Sequence, residues 1–238
     1  MQISELKDKY KGEECFVLGN GPSLNQHDLS KITDRYVFVV NDFHMHPLWP
    51  EFEHIFWSEA SRISWLFGRF DDWKLRRLLK NKNALYFLRS EFKPINDRTK
   101  QFPEDRIYYF NWTNKRRIFD GDYEWDISKE IIFGGSAVIT CSMALAQYMG
   151  FKRIYIMGCD TTYYYEVDKT FNNAYFYDWR KMPKRYWPRI TDVRDLDTAY
   201  KSWKVIKKLF DERGIEIYNL SRGGKLDIFP YKDYEEVL

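Results

Sequence analysis

The chain has little from which to build a metal or redox centre. Its three cysteines, Cys15, Cys141 and Cys159, are widely spaced and form no C-x-x-C pair. That pattern excludes a zinc ribbon or a thioredoxin-type site and reads as small core residues in a reducing compartment. The four histidines, His27, His44, His46 and His54, all lie early in the chain. His44-x-His46 offers two ligands with no third nearby, so no metal or other cofactor is expected. Neither charge dominates: 38 basic residues face 35 acidic ones, a formal net charge of +3. A dedicated nucleic-acid binder would carry a strongly basic face, so none is expected here. No apolar run is long enough to span a bilayer, and no leader is expected. The sequence therefore predicts a cytoplasmic protein, with weak contact at the inner face of a membrane left open. G-x-G-x-x-G and Walker loops are both absent.

Apolar residues, in contrast, make up 44% of the 238 positions, enough for a large core. Short β-branched and aromatic runs alternate with helical patterns, the signature of a mainly parallel α/β sheet. Strands are predicted at 15–18, 36–40, 54–57, 84–88, 106–110, 153–157 and 216–218. Helices are predicted at 61–70, 73–81, 137–149 and 196–213, the third apolar almost all round and therefore buried. No repeat or linker composition interrupts the pattern. One Rossmann-like domain over 1–238 is the expectation.

The first strand stops at Gly19-Asn20-Gly21-Pro22-Ser23. Glycines let backbone N–H groups approach a ligand, and Ser23 can cap a following helix. Such a turn is a place for phosphate, or simply a strand-to-helix connection. Residues 161–194 form a long irregular stretch rich in tyrosine, tryptophan, lysine and arginine. It leaves the carboxyl end of a predicted strand, where open α/β sheets bind ligands. An aromatic lid that stacks on a base or sugar is one reading, and a satellite core under a long loop is the other.

Two segments together resemble the superfamily of Maf flagellin glycosyltransferases and MptE-like proteins, and the bacterial lipo-oligosaccharide sialyltransferases. The first is Val17 to Leu24. The second is Gly134-Gly135-Ser136, then the buried helix, then Gly150 to Asp160 ending in Gly158-Cys159-Asp160. The tail Tyr218 to Leu226 is similar to tails of short members from surface-polysaccharide gene clusters. The resemblance implies a nucleotide site at Gly19, Asn20, Gly21, Ser23, Asn41, Gly135, Ser136 and Asp160. It implies that Tyr163 and Tyr175 bind the leaving phosphate. The sialyltransferases place a general-base histidine in the lid, and this lid has none. His44, beside Asn41, and Asp192, in the lid, are the candidate replacements.

The resemblance implies an inverting glycosyltransferase that uses a CMP-activated nonulosonic acid. Its acceptor would be a saccharide or glycolipid in cell-surface polysaccharide or lipo-oligosaccharide synthesis. The alternatives are an MptE-like 6-hydroxymethylpterin diphosphokinase using ATP and magnesium, and a non-catalytic sugar-nucleotide binding module. Self-association as a homo-oligomer is left open.

Overall fold

The computed structural model describes residues 1–59, 72–117, 126–129, 131–133, 138–161, 175–182, 193–223 and 226–238. Its centre is a seven-stranded sheet in which every neighbouring pair is parallel. The strands of this sheet are β1 (Glu14–Leu18), β2 (Tyr36–Val40), β3 (His54–Glu59), β4 (Leu85–Arg89), β5 (Ile107–Phe110), β8 (Arg153–Met157) and β9 (Glu216–Asn219). All seven overlap the predicted strands within about two residues at each end. Between β5 and β8 the chain forms a second, two-stranded parallel sheet, β6 (Trp112–Arg117) and β7 (Ile131–Phe133), which the sequence did not predict.

The order across the large sheet is β5-β4-β3-β2-β1-β8-β9. The chain winds outward from β1 to β5, then returns to lay β8 on the other side of β1. The carboxyl ends of β1 and β8 therefore lie at a topological switch point, the place where open α/β sheets take their ligands.

Both faces of the sheet are covered, so its strands are apolar on both sides. Cys15 and Val17 of β1 and Phe38 and Val40 of β2 enter one core, with Ile139, Leu145, Trp203 and Phe210. Phe16 and Leu18, Val37 and Val39, and Ile55 and Trp57 enter the other, with Leu24, Trp49, Phe92 and Phe102.

Four helices are seen among the described residues: α1 (Asp72–Leu78), α2 (Lys93–Thr99), α3 (Ile139–Tyr148) and α4 (Val193–Glu212). Helix α3 is buried almost throughout and packs on β1 and β2. Its Ser142 hydroxyl lies 3.0 Å from that of Ser58 on β3, a buried polar tie across the core. Helix α4 begins at Val193, inside the stretch expected to be irregular. Helix α2 was not predicted, while the helix expected over 61–70 falls outside the described residues. No helix among the described residues is long and apolar enough to cross a membrane.

Candidate functional site

The turn after β1 is locked to the loop after β8. Gly19 N–H donates to Met157 C=O at 2.8 Å, and Gly21 N–H to Gly158 C=O at 2.7 Å. A Cβ on Gly19 would sit 2.3 Å from Gly158 O, and one on Gly21 would sit 2.5 Å from Asp160 Oδ2. Two loops this close leave room only for hydrogen at both positions. Asp160, 4% exposed, takes Ser23 N–H on Oδ2 at 2.8 Å and the Ser23 hydroxyl on Oδ1.

This geometry corrects one expectation. The sequence offered the N–H groups of Gly21 and Ser23 to a phosphate, but both are bonded inside the protein. The expected helix is instead a short 3₁₀ turn, Pro22–Gln26. The glycines here bring two loops together. The Asp160 carboxylate, expected in the nucleotide site, holds the turn through Ser23.

Asn20 and Asn41 face the problem differently. Asn20 Nδ2 donates to Val40 C=O at 3.2 Å, which sets its side chain beside the end of β2. Its Oδ1 is buried with no partner among the described residues. Asn41, the next residue after β2, sits in the left-handed region at φ +49°, which asparagine tolerates better than most side chains. Its carbonyl accepts Trp57 Nε1–H at 2.8 Å and lies 3.3 Å from His44 Nδ1. Asn41 Oδ1 is likewise buried with no partner among the described residues. A carbonyl can only accept, so the proton of His44 sits on Nδ1 and the lone pair on Nε2. His44 is 2% exposed, and Nε2 meets no partner among the described residues. Burial pushes its pKa down to about 3, with the Asp42 carboxylate offsetting only part of that and Lys74 adding to it.

Beside His44 lies an ion cluster that sequence reasoning missed. Lys74 of α1, 2% exposed, lies 2.7 Å from Glu59 at the end of β3 and 3.2 Å from Asp42 after β2. Burial alone would depress the Lys74 ammonium, but the two carboxylates hold it above its usual value. Burial alone would raise the Asp42 carboxyl, but Lys74 and then His44 bring it below the usual carboxylate range.

The described part of the aromatic stretch rests on these same elements. Phe176 N–H donates to Asn20 C=O at 3.0 Å, and Asn25 Nδ2 donates back to Phe176 C=O at 3.1 Å. The Phe176 ring packs 5.8 Å from Phe43 and 5.5 Å from His46. Tyr177 O–H donates to Asp42 Oδ2 at 3.4 Å, and Tyr175 stacks on Tyr177 at 5.3 Å. This segment spans the carboxyl ends of β1 and β2.

Of the residues expected at the site, Gly19, Asn20, Gly21, Ser23, Asn41, His44, Asp160 and Tyr175 lie at or beside the ends of β1, β2 and β8. Gly135, Ser136, Tyr163 and Asp192 lie outside the described residues. The described residues contain no group of three or more histidine, cysteine, aspartate or glutamate side chains that could hold a metal ion.

No family model and no curated protein matches the sequence. Solved structures do match. The sialyltransferase CstII of Campylobacter jejuni with the substrate analogue CMP-3FNeuAc is 18% identical, with 92% of this chain and 86% of that chain covered and a TM-score of 0.53. The same enzyme with cytidine-5'-monophosphate is 19% identical, over 93% and 85% of the two chains, with a TM-score of 0.54. The enzyme with a trisaccharide acceptor and CMP is 18% identical, over 92% and 85%, with a TM-score of 0.50. Across nearly its whole length, this chain is built on the fold of these sialyltransferases.

Proposed function

We propose that this protein is a CMP-sugar-dependent inverting glycosyltransferase that works without a metal. The observation that carries the reading is the chemistry left open at the carboxyl ends of β1 and β2. Asn20 Oδ1, Asn41 Oδ1 and His44 Nε2 are buried acceptors with no donor among the described residues. Buried polar atoms are rarely left unpaired, so a ligand that supplies donors fits here. The amino group of cytosine and the hydroxyls of ribose and sugar are donors, whereas an ionised phosphate has none to give. The nucleoside would therefore lie against Asn20 and Asn41, with its phosphate toward the tyrosines of the aromatic segment, Tyr163 and Tyr175. The fold shared with CMP-bound sialyltransferases supports the same choice.

In the proposed reaction, a hydroxyl of the saccharide or glycolipid acceptor attacks the anomeric carbon of a nonulosonic acid. The new C–O bond forms as the bond to the phosphate oxygen breaks, and CMP leaves with that electron pair. The hydroxyl proton passes to a base. His44 holds its lone pair on Nε2 and is neutral at physiological pH. Its proton affinity is then comparable to that of a carboxylate, the group that serves as base in many glycosidases. Asp192 is the other candidate. Hydrogen bonds to the leaving phosphate act mainly in the transition state, where its charge grows. The pathway would be cell-surface polysaccharide or lipo-oligosaccharide synthesis.

The test is an NMR transfer assay with CMP-N-acetylneuraminate, a panel of glycan acceptors and EDTA. A product of opposite anomeric configuration to the donor is expected. Retention of configuration, or turnover of ATP and a pterin in place of the CMP-sugar, would overturn the reading.

A further inference from the structure

We propose that Ser221, in the tail just after β9, is a positioning residue for the nucleotide turn, so that the carboxy-terminal segment forms a third wall of the site. This rests on the reading of these strand ends as a CMP site.

Four buried groups form one chain. Ser221 Oγ accepts Gly158 N–H at 2.9 Å. The hydroxyls of Ser221 and Ser23 lie 3.1 Å apart. The Ser23 hydroxyl also meets Asp160 Oδ1, and Ser23 N–H meets Asp160 Oδ2 at 2.8 Å. Ser23, Asp160 and Ser221 are each no more than 4% exposed.

Counting protons fixes the direction of the chain. An ionised carboxylate can only accept, so the single hydrogen of the Ser23 hydroxyl goes to Asp160. The hydrogen between the two serines must then come from Ser221. Ser221 is thus the only donor among the described groups to Ser23 Oγ and the acceptor for Gly158 N–H. Through these two bonds it holds together the turn after β1 and the loop after β8, the two lips of the proposed site.

Ser221 is itself held firmly. Its N–H donates to Asn219 Oδ1 at 3.0 Å, and Asn219 Nδ2 donates to Leu226 C=O at 2.8 Å. Leu220 N–H donates to Ile156 C=O at 2.8 Å, continuing the β8–β9 ladder. The serine therefore reaches the turn from a stiff support. Removing its hydroxyl strands Gly158 N–H and frees the Ser23 rotamer. Both changes loosen the spacing between Asn20, on the first lip, and Asp160, on the second.

The experiment measures CMP affinity by titration calorimetry on the full chain, well below the melting temperature, for wild type, Ser221→Ala, Ser221→Thr and Ile217→Val. Ile217 is buried in β9 opposite Ile154 of β8 and takes no part in the chain of bonds, so Ile217→Val is a control for a general loss of stability. Ser221→Ala should weaken CMP binding roughly tenfold, in line with a stranded buried donor. Ser221→Thr, which keeps the hydroxyl, should restore most of it, and Ile217→Val should bind as wild type does. If Ser221→Ala does not fold, Ser221→Cys replaces it, with the same loss expected. Wild-type affinity in the folded variant, or an equal loss in Ile217→Val, would overturn the positioning role alone. Failure of the wild type to bind CMP would overturn the reading of the site and this inference with it.

Discussion

Trp57 on β3 donates its indole N–H to the carbonyl of Asn41, the left-handed residue that ends β2, at 2.8 Å. One buried side chain thus clamps the backbone of a residue whose own side-chain oxygen has no partner among the described residues. Strain of this kind persists only where surrounding structure enforces it, and it gathers at functional sites.

Two substitutions at Asn41 should separate these contributions. Asn41→Gly suits the φ of +49° and should change stability little, while weakening CMP binding by about 1–2 kcal/mol. Asn41→Ala should weaken binding similarly and also lower stability by about 1–2 kcal/mol, because alanine is strained in this region. Chemical denaturation and calorimetry on both variants check this. Unchanged binding in Asn41→Gly would show that Oδ1 does not meet the nucleotide.

Gly19→Ala should destabilise the fold by about 2–3 kcal/mol, the upper range for overpacking, because the new methyl would meet a backbone carbonyl that cannot swing aside. Urea unfolding measures this directly. A loss of nucleotide binding without loss of stability would instead mean that the glycine serves the ligand.

Lys74 anchors two carboxylates. Lys74→Met should cost roughly 3–5 kcal/mol near neutral pH, since the buried Glu59 and the part-buried Asp42 both lose their shared cation. In that variant both folded carboxyl pKa values would rise above their unfolded values. The variant should therefore regain stability relative to wild type as the pH falls through the carboxylate range. A constant deficit from pH 8 to pH 4 would contradict the account.

His44 predicts the opposite trend in the wild type. Its folded pKa of about 3 lies below the ordinary 6.5, so the unfolded chain binds the proton first. The stability it contributes is present above about pH 6.5 and is lost as the pH falls toward 3. The slope from this one group approaches ~1.4 kcal/mol per pH unit. His44→Gln should flatten the pH dependence by that amount. For activity, the same pKa means no acid limb from His44 between pH 8 and pH 5.

The strands were legible because each is a short run of β-branched and aromatic residues buried on both faces, as in Val37-Phe38-Val39-Val40. The small sheet was not, since Trp112-Thr113-Asn114-Lys115-Arg116-Arg117 carries no apolar pattern. The site was legible where one residue marks a strand end, as Asn41 does. Lys74 was not, because it lies in the basic run Lys74-Leu75-Arg76-Arg77 and reads as solvent-facing. Only the fold brings Asp42 and Glu59 to it. Ser221 was hidden for the same reason, its partners being Gly158 and Ser23. The sequence left the two glycines of the first turn open between a phosphate site and a plain connection, because close packing between two loops and close approach to a ligand leave the same signature in sequence.

The most direct test of the account is titration of CMP into the protein with EDTA present, alongside UMP, GMP and ATP with magnesium. Saturable binding of CMP, unaffected by EDTA and tighter than that of the other nucleotides, is the predicted result. Magnesium-dependent binding of ATP with no binding of CMP would contradict it.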